Sequence, residues 1–238
     1  MENLNSRKDE EYKLTEVISI VSHQLKSPIS VVKSCLEVLS SGDLGKINEK
    51  QKEYLSDAME NTKRMIKLVQ IFLDVSRIEE KRLDFKLEPS SIEDIIRKII
   101  NEIDSLASAK NCSINFQAKS EIPKLKIDSI KIGQVVSNII SNAIEYSSSR
   151  GNIKINLEKR RSDVVFCCTD TGIGIPNKDK KKIFSKFYRS EKAVVLEANG
   201  SGLGLFISKA IIEKSGGKIW FDSKEGKGST FCFSLPVG

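Results

Sequence analysis

Residues 12–39 read YKLTEVISIVSHQLKSPISVVKSCLEVL, and the spacing of their apolar side chains decides the first part of the fold. The apolar residues recur at steps of three and four, which places them on one face of a long helix. The break SSGDLG at residues 40–45 follows, where glycine allows the chain to end the helix and reverse. A second apolar stripe runs through residues 55–75, so the pattern predicts a helical hairpin.

A single hairpin cannot cover both of its own apolar stripes. Two helices packed together leave much of each stripe in water, whereas two hairpins packed together bury all four. We therefore expect a homodimer built on a four-helix bundle. The stripe residues are interpreted as the core of that bundle rather than as a ligand site.

The pattern changes after Arg82. Alternating apolar residues at 83–87 predict a strand, and helical patterns at 129–146 and 203–215 alternate with short β-like runs. This mixture predicts a two-layer α/β sandwich, with helices on one face of a mixed sheet. The predicted domains are residues 1–84 and 85–238, and the β-like runs are 112–117, 153–157, 164–169, 218–222 and 230–235.

The charge balance is basic but dispersed. The chain has 39 Lys and Arg against 32 Asp and Glu, a formal net charge of +7. Because the two signs alternate along most of the sequence, we expect no nucleic-acid partner. One tight cluster, residues 178–182, could steer a nucleotide polyphosphate or could be the solvated face of a short helix.

The five cysteines are an odd number and show none of the Cys/His spacings of a zinc site. We expect them to be reduced, with the adjacent Cys167 and Cys168 acting as small hydrophobic residues on opposite faces of a strand. No apolar run approaches the roughly 20 residues that cross a bilayer. These features predict a soluble, cytoplasmic protein, attached to a membrane only through a sensor region outside this chain.

His23 is the one histidine of the chain. It lies two positions from the stripe residues Val21 and Leu25, so its imidazole is expected to face solvent. Pro28 removes one backbone hydrogen bond from the same helix and loosens the turn before it. A lone histidine is often incidental, but an exposed one beside polar neighbours has no packing role and is a candidate reactive group.

Asn138 and Asn142 stand one helical turn apart, on one face. Paired carboxamides could bridge neighbouring elements, and they also suit Mg²⁺, which accepts few protein ligands beside phosphate oxygens. The segment DTGIGIP at residues 170–176 follows a β-like run and combines a carboxylate acceptor with a backbone that a ligand can approach closely.

Two further glycine-rich segments follow. GSGLGL at residues 200–205 opens a predicted helix, so its free N–H groups and positive dipole end can face phosphate. Its spacing is not the GxGxxG of dinucleotide-binding folds, which excludes a Rossmann interpretation. GKGST at residues 226–230, taken singly, is only a hairpin turn.

In this order the five segments resemble the H, N, G1, G2 and G3 boxes of sensor histidine kinases. Residues 183–189, IFSKFYR, resemble the F box of the same family. The resemblance covers nearly the whole chain. It implies a dimerisation and phosphotransfer hairpin followed by the ATP-binding sandwich of the Bergerat (GHKL) fold, which gyrase-type ATPases share.

The resemblance also implies the chemistry. His23, with Gln24 and Ser27 beside it, would be autophosphorylated by ATP and Mg²⁺ and would pass the phosphoryl group to an aspartate of a response regulator. Asp170 would bind the adenine amino group, and Asn142 would coordinate Mg²⁺ with Asn138 close by. Arg189 would reach the terminal phosphates, residues 184–201 would form a mobile lid, and the ATP-binding set would be completed by Tyr146, Gly172, Gly174, Gly202, Leu203, Gly204 and Thr230.

Two positions depart from the family pattern. Gln24 stands where a carboxylate usually accepts the second ring proton of the histidine, which predicts slower autophosphorylation. Glu145 stands where a lysine commonly approaches the phosphates, and an acidic group there would repel them. The Ser27 hydroxyl stands where the family can hold a water against the regulator's phosphoaspartate, which would give a phosphatase activity.

Two other functions share the nucleotide segments. A gyrase-type ATPase clamp would hydrolyse ATP to close a dimer, but the hairpin with His23 argues against it. A degenerate kinase acting as a scaffold or phosphatase is supported by Gln24 and Glu145. The sequence leaves open the input signal, the cognate regulator, and whether phosphorylation occurs within one subunit or across the dimer.

Overall fold

A computed structural model of the chain describes residues 2–147, 150–197 and 200–237. Within the first helix it describes side chains from Val21 onward, that of His23 excepted. The chain divides into two compact units, Met1–Leu83 and Asp84–Gly238.

The first unit is a helical hairpin of α1, Glu2–Ser41, and α2, Glu49–Glu79. Gly42 and Gly45 both have positive φ, and the Gly45 amide donates to the Gly42 carbonyl at 3.1 Å, which reverses the chain. Asn48 begins α2 with a capping box, in which its side chain accepts from the Gln51 amide and the Gln51 side chain accepts from the Asn48 amide. The predicted hairpin is confirmed. No described helix is both long enough and apolar enough to cross a bilayer.

The second unit is an α/β sandwich built on a mixed five-stranded sheet. The sheet order is β2-β4-β5-β7-β6, with β2 and β4 parallel and the other neighbours antiparallel. A separate two-stranded pair joins β1 and β3. The elements are β1 Glu88–Ser90, α3 Ile92–Ala109, β2 Ser113–Ala118, β3 Leu125–Ile127, α4 Ser129–Tyr146, β4 Asn152–Arg160, β5 Asp163–Thr169, α5 Glu191–Leu196, α6 Gly204–Lys214, β6 Lys218–Lys224 and β7 Gly228–Pro236.

The core of this unit lies between one face of the sheet and the helices α3, α4 and α6. Phe166 of β5 and Phe233 of β7 stack at its centre, with ring centroids 4.8 Å apart. Each aliphatic side chain that is fully buried there contributes about 1.5–3 kcal/mol. The predicted two-layer sandwich is therefore confirmed, and its fully buried aliphatic residues include Ile132, Ile139, Ile140, Ile144, Ile153, Ile155 and Leu157.

The strand predicted at residues 83–87 is wrong. Those residues have no regular structure, and the strand is β1, which pairs with β3 further along the chain. The Lys86 amide instead donates to the Asp128 carboxylate at 2.9 Å. A short strand of this kind is defined by its partner more than by its own alternation, so the pattern alone misplaced it.

The expectation that Cys167 is a reduced thiol is also wrong. Cys167 on β5 lies opposite Cys232 on β7, with Cα atoms 4.1 Å apart, and the two form a disulfide. Cys168 is free and buried on the opposite face, as the alternation predicted, and burial raises the pKa of its thiol. The pairing was hidden because 65 residues separate the partners and only the sheet register opposes them.

Candidate nucleotide site and phosphotransfer helix

The site of the second unit begins on α4. Asp128 caps this helix by accepting from the Ile130 and Lys131 amides, each at 3.0 Å. With the helix fixed in this way, Asn138 and Asn142 share one half-buried face. The Asn138 side-chain amide donates to the Ser208 hydroxyl of α6 at 3.0 Å, which joins the two helices.

The carboxamide of Asn138 also packs on the first residue of α6. A Cβ at Gly204 would collide with the Asn138 oxygen, so only glycine permits this approach. Asn138 is therefore engaged on both sides by α6. Of the two carboxamides predicted to lie at the metal, Asn142 makes neither of these contacts with α6.

Asp170 follows β5 and is buried, with 6% of its surface exposed. One carboxylate oxygen accepts from the Gly172 amide at 2.8 Å and from the Ser229 amide at 3.1 Å. Burial raises the pKa of this carboxyl group, and the two backbone hydrogen bonds oppose that rise by stabilising the charged form. The second oxygen is the one that these two bonds leave for an external donor.

The segment after Asp170 is held against the end of α4. The Ile173 amide donates to the Tyr146 carbonyl at 3.1 Å, and Gly172 and Ser147 form an isolated bridge. A side chain at Gly172 would collide with the same Tyr146 carbonyl. The glycine therefore brings the predicted adenine-binding carboxylate and the asparagine helix together.

The β6–β7 hairpin closes the site from the other side. The Gly226 amide donates to the Ile173 carbonyl at 2.7 Å. Side chains at Gly174 and Gly228 would collide with the Lys224 and Asp170 carbonyls respectively, and both glycines have positive φ. Four segments that are remote in sequence thus meet at contacts that a Cβ would block.

Ser229 is a site residue that sequence reasoning missed. Its amide binds Asp170, and its hydroxyl lies 2.9 Å from the Ser223 hydroxyl. The predicted Thr230 instead places its hydroxyl 3.0 Å from that of Thr169. Adjacent residues of a strand point to opposite faces of the sheet. The motif does not state which of Ser229 and Thr230 faces Asp170, so the motif alone could not identify Ser229.

The predicted lid contains the short helix α5. Arg189, just before it, donates to the carbonyls of Ala193 at 2.8 Å and Gly200 at 3.0 Å, and also to that of Glu197. A Cβ at Gly200 would lie 3.0 Å from the guanidinium carbon, so the glycine admits the arginine. In this structure the Arg189 guanidinium therefore organises the lid backbone.

Arg189 also acts on Tyr146. Burial raises the pKa of the Tyr146 hydroxyl, whereas the positive charge and a hydrogen bond from Arg189 oppose that rise. The lid is further tied to the β6–β7 hairpin by Lys192, whose ammonium lies 2.7 Å from the Glu225 carboxylate. An exposed pair of this kind contributes little stability. An open cleft between the lid and residues 170–176 is lined by Ile173, Glu191, Lys192, Val195 and Leu196.

The amino end of α6 completes the site. Gly202 has a φ of +69°, and a Cβ there would lie 2.7 Å from the backbone of Phe187. Leu203 is fully buried and occupies the N-cap position, where its apolar side chain cannot accept from the first amides of the helix. Those amides and the positive end of the helix dipole suit an anion such as phosphate.

The remaining predicted residues lie in the first unit. The backbone of His23 belongs to α1, but its side chain lies outside the described residues. Gln24 and Ser27 are exposed on the same helix. Ser27 stands one turn after His23, which is the spacing at which two helical side chains are neighbours.

Two family models match the chain. Residues 13–81 match the His Kinase A (phospho-acceptor) domain, and residues 127–238 match the histidine kinase-, DNA gyrase B- and HSP90-like ATPase. A solved structure, the catalytic domain of histidine kinase ThkA, is 31% identical with a TM-score of 0.56, and the match covers 65% of this chain and 97% of that one. The chain belongs to the sensor histidine kinases.

Longer members of the family match both units. Sensor histidine kinase WalK of Bacillus subtilis (strain 168) is 36% identical over 225 residues, which are 93% of this chain and 36% of WalK. Histidine kinase ThkA in complex with the response regulator protein TrrA is 25% identical, with a TM-score of 0.60, and the match covers 100% of this chain and 66% of that one. The chain thus spans about a third of the length of WalK.

Proposed function

We propose that this chain is the ATP-dependent catalytic core of a sensor histidine kinase. The second unit binds ATP, the γ-phosphoryl group is transferred to His23, and an aspartate of a response regulator receives it from there. The observation that carries the proposal is the position of Asp170, whose buried carboxylate is fixed by the Gly172 and Ser229 amides where three glycine segments meet the asparagine helix.

Asp170 supplies the recognition of adenine. The exocyclic amino group of adenine is a donor and needs an acceptor at a fixed point. Two backbone amides donate to one oxygen of Asp170 and hold the carboxylate in one orientation. The other oxygen therefore points in a fixed direction. A buried, immobilised acceptor of this kind discriminates against a base that offers an acceptor in place of the amino group.

Asn142 and the amino end of α6 serve the phosphates. The carboxamide oxygen of Asn142 is half-buried on the site face of α4, and oxygen ligands of this kind fit Mg²⁺. Held by Asn142, the metal would neutralise charge that develops on the phosphates during transfer. The uncapped amides at the start of α6 would hold the phosphate chain in register.

His23 acts as the nucleophile. A neutral ring nitrogen attacks the γ-phosphorus, the bond from phosphorus to the β–γ bridging oxygen breaks, and ADP leaves with that oxygen. The second ring N–H must then lose its proton. Gln24 offers a carboxamide oxygen that can orient the ring by accepting this N–H, but it cannot take the proton.

The exposed stripe of α1 supports a homodimer. Val21, Leu25, Val32 and Leu39 are each more than 40% exposed in the single chain, at 49%, 45%, 48% and 43%. They recur at helical spacing on one side of α1, and a second hairpin would bury them. A four-helix bundle of two chains is therefore the assembly that we propose.

A response regulator is the proposed second partner. ThkA is the precedent, since that kinase forms a complex with the response regulator protein TrrA. A phosphoramidate at His23 is labile enough to pass its phosphoryl group to a carboxylate. The exposed Ser27, one turn after His23, would face the same partner and could hold a water for the reverse, phosphatase reaction.

Labelling with γ-³²P ATP and Mg²⁺ tests the proposal. We expect label on the protein that is lost in acid and retained in base, as a phosphoramidate is. His23→Ala should abolish it while leaving nucleotide binding intact. Asp170→Asn should weaken nucleotide binding and, with it, the labelling at low ATP concentration. ATP bound without label would support the scaffold or phosphatase, and phosphate release without label would support the ATPase clamp.

A further inference from the structure

The disulfide of the central sheet lies close to the nucleotide site. Cys167 and Cys232 are directly opposed on β5 and β7, and three residues further along each strand are Asp170 and Ser229. The Asp170 amide donates to the Ser229 carbonyl at 2.8 Å, and the Ser229 amide returns to the Asp170 carboxylate at 3.1 Å. The same two strands thus carry the cross-link and the adenine-binding clamp.

The intervening pair strengthens this connection. Thr169 and Thr230 stand on the same sheet face as the disulfide, and their hydroxyls are 3.0 Å apart. The cross-link, this hydroxyl pair and the Asp170–Ser229 clamp therefore follow one another along a single strand pair. A change in strand separation at Cys167 reaches the carboxylate through two residues of extended backbone.

We propose that Cys167 and Cys232 are a reversible redox site that sets the affinity of the second unit for ATP. The oxidised pair holds β5 and β7 at the separation that lets the Asp170 amide donate to the Ser229 carbonyl and the Asp170 carboxylate accept from the Ser229 amide. The reduced pair loosens that clamp and weakens nucleotide binding. The inference rests on the proposed function, because ATP is the ligand whose affinity changes.

The fold survives in both states, which a switch requires. Four residue pairs, from Asp163↔Pro236 to Phe166↔Phe233, lie on the side of the cross-link away from Asp170 and hold β5 against β7 whether or not the sulfurs are bonded. The stacked Phe166 and Phe233 lie on the other face and do not depend on the cross-link. Reduction is therefore expected to act on the strand ends and not on the core.

Thiol–disulfide exchange with a reductant begins at Cys167. Cys167 is half-buried whereas Cys232 is 5% exposed, so a thiolate of a dithiol reductant attacks the sulfur of Cys167. Cys232 leaves as a thiolate and takes a proton. The second thiol of the reductant then attacks the mixed disulfide and frees Cys167, so that two electrons and two protons have entered the pair.

Cys168 does not compete in this exchange. It points to the helix-covered face, is 1% exposed, and its burial raises the pKa of the thiol, so little of it is thiolate. Cys112 is also buried, and Cys35 lies on α1 in the other unit. Within the second unit the exchange therefore involves one pair, and Cys35→Ser removes the exposed thiol of the first unit.

Trp220 gives an intrinsic probe of the bond. It is the one tryptophan of the chain, and the register of β6 and β7 places it directly beside Cys232. A neighbouring disulfide quenches indole fluorescence, so reduction should increase the emission. The state of the pair can therefore be read without a label.

The test uses the wild-type chain, treated with glutathione disulfide or with dithiothreitol. Mass spectrometry after alkylation should show Cys167 and Cys232 joined to each other in the oxidised sample. Reduction should raise the Kd for ATP by about threefold or more because the site loses preorganisation. Cys35→Ser should keep this response, and Cys167→Ala/Cys232→Ala should bind ATP as the reduced protein does under both treatments. Five alkylated cysteines after oxidation, or equal Kd values in two verified states, would overturn the proposal.

A second measurement separates this inference from the proposed kinase function. Reduction should accelerate hydrogen exchange at the Asp170 and Ser229 amides, which bond across the ends of the two strands, with or without nucleotide. If neither state binds ATP, the proposed function fails and the exchange rates still decide the redox site. Unchanged exchange at both amides would reject it.

Discussion

The carboxamide oxygen of Asn138 packs against Gly204 so closely that a single added methyl group would collide with it. The same side chain donates to Ser208 one turn later in α6. Asn138 and Gly204 belong to two motifs that are separated by more than sixty residues. Their contact shows that the glycine of the second motif is required by the asparagine of the first.

Gly204→Ala should displace Asn138 and weaken the whole site. Overpacking at a buried contact costs about 1–3 kcal/mol, and we expect a lower unfolding midpoint together with weaker ATP binding. Calorimetric titration with ATP and a denaturant melt measure the two effects. Ordinary ATP affinity in this variant would contradict the contact.

Gly133→Ala is the matched control. Gly133 lies inside α4, and its added Cβ would be 3.6 Å from the nearest side-chain atom, which is ordinary contact. Alanine in a helix is favoured over glycine by about 0.5–1 kcal/mol. We therefore expect this variant to be at least as stable as the parent and to bind ATP normally.

Asp170→Asn should weaken ATP binding without unfolding the protein. The asparagine oxygen can still accept from the Gly172 and Ser229 amides, but its NH₂ group would then meet the amino group of adenine, donor against donor. An unsatisfied buried donor costs about 1–3 kcal/mol, so the Kd should rise by about 10-fold to 100-fold. Titration with ATP and a far-UV melt separate affinity from folding.

The stability of Asp170→Asn should depend on pH differently from the stability of the wild-type protein. Burial raises the pKa of Asp170 above its ordinary 3.8, so the folded state holds the proton more tightly than the unfolded state. As pH rises from the unfolded pKa through the folded one, the wild-type protein therefore loses the stability that this group contributes at low pH. Asp170→Asn should lack that loss, and identical pH profiles of the unfolding midpoint would contradict the assignment.

Glu145→Lys should strengthen ATP binding by about tenfold if residue 145 faces the phosphates, because a repulsion becomes an attraction. Glu102→Lys, on the exposed part of α3, makes the same change in net charge far from the site. ATP titrations of both variants at low and high salt measure the effect. Equal affinities for Glu145→Lys and the parent would mean that Glu145 points away from the phosphates.

Gln24→Glu should accelerate autophosphorylation by about tenfold, because a carboxylate can accept the second ring proton of His23. ATP affinity should not change, since Gln24 belongs to the first unit. Single-turnover labelling measures the rate, with Gln24→Ala as the control for loss of the carboxamide. An unchanged or slower rate in Gln24→Glu would reject this account of the departure.

The helices and the longer strands can be predicted from the sequence more readily than the tertiary contacts that they make. The pattern predicts the helix of residues 129–146 at its observed bounds, because its apolar period and its long uninterrupted run agree. The short strands β1 and β3 were missed or misplaced, since three residues carry too little pattern. The motif at residues 226–230 predicts Thr230, and not Ser229, as a residue of the ATP site, because a motif names a segment but does not state which face of the strand each residue occupies.

The two kinds of domain, the ordered motifs and the family that they indicate can all be read from the amino-acid sequence. They depend on local periodicity and on residue types at short spacing, which are features of neighbouring positions in the chain. The tertiary structure decided that Ser229 holds Asp170, that Arg189 binds the lid carbonyls and that Cys167 pairs with Cys232. Each of those contacts joins groups brought together by strand register, loop geometry or helix packing, and the motifs alone do not encode it.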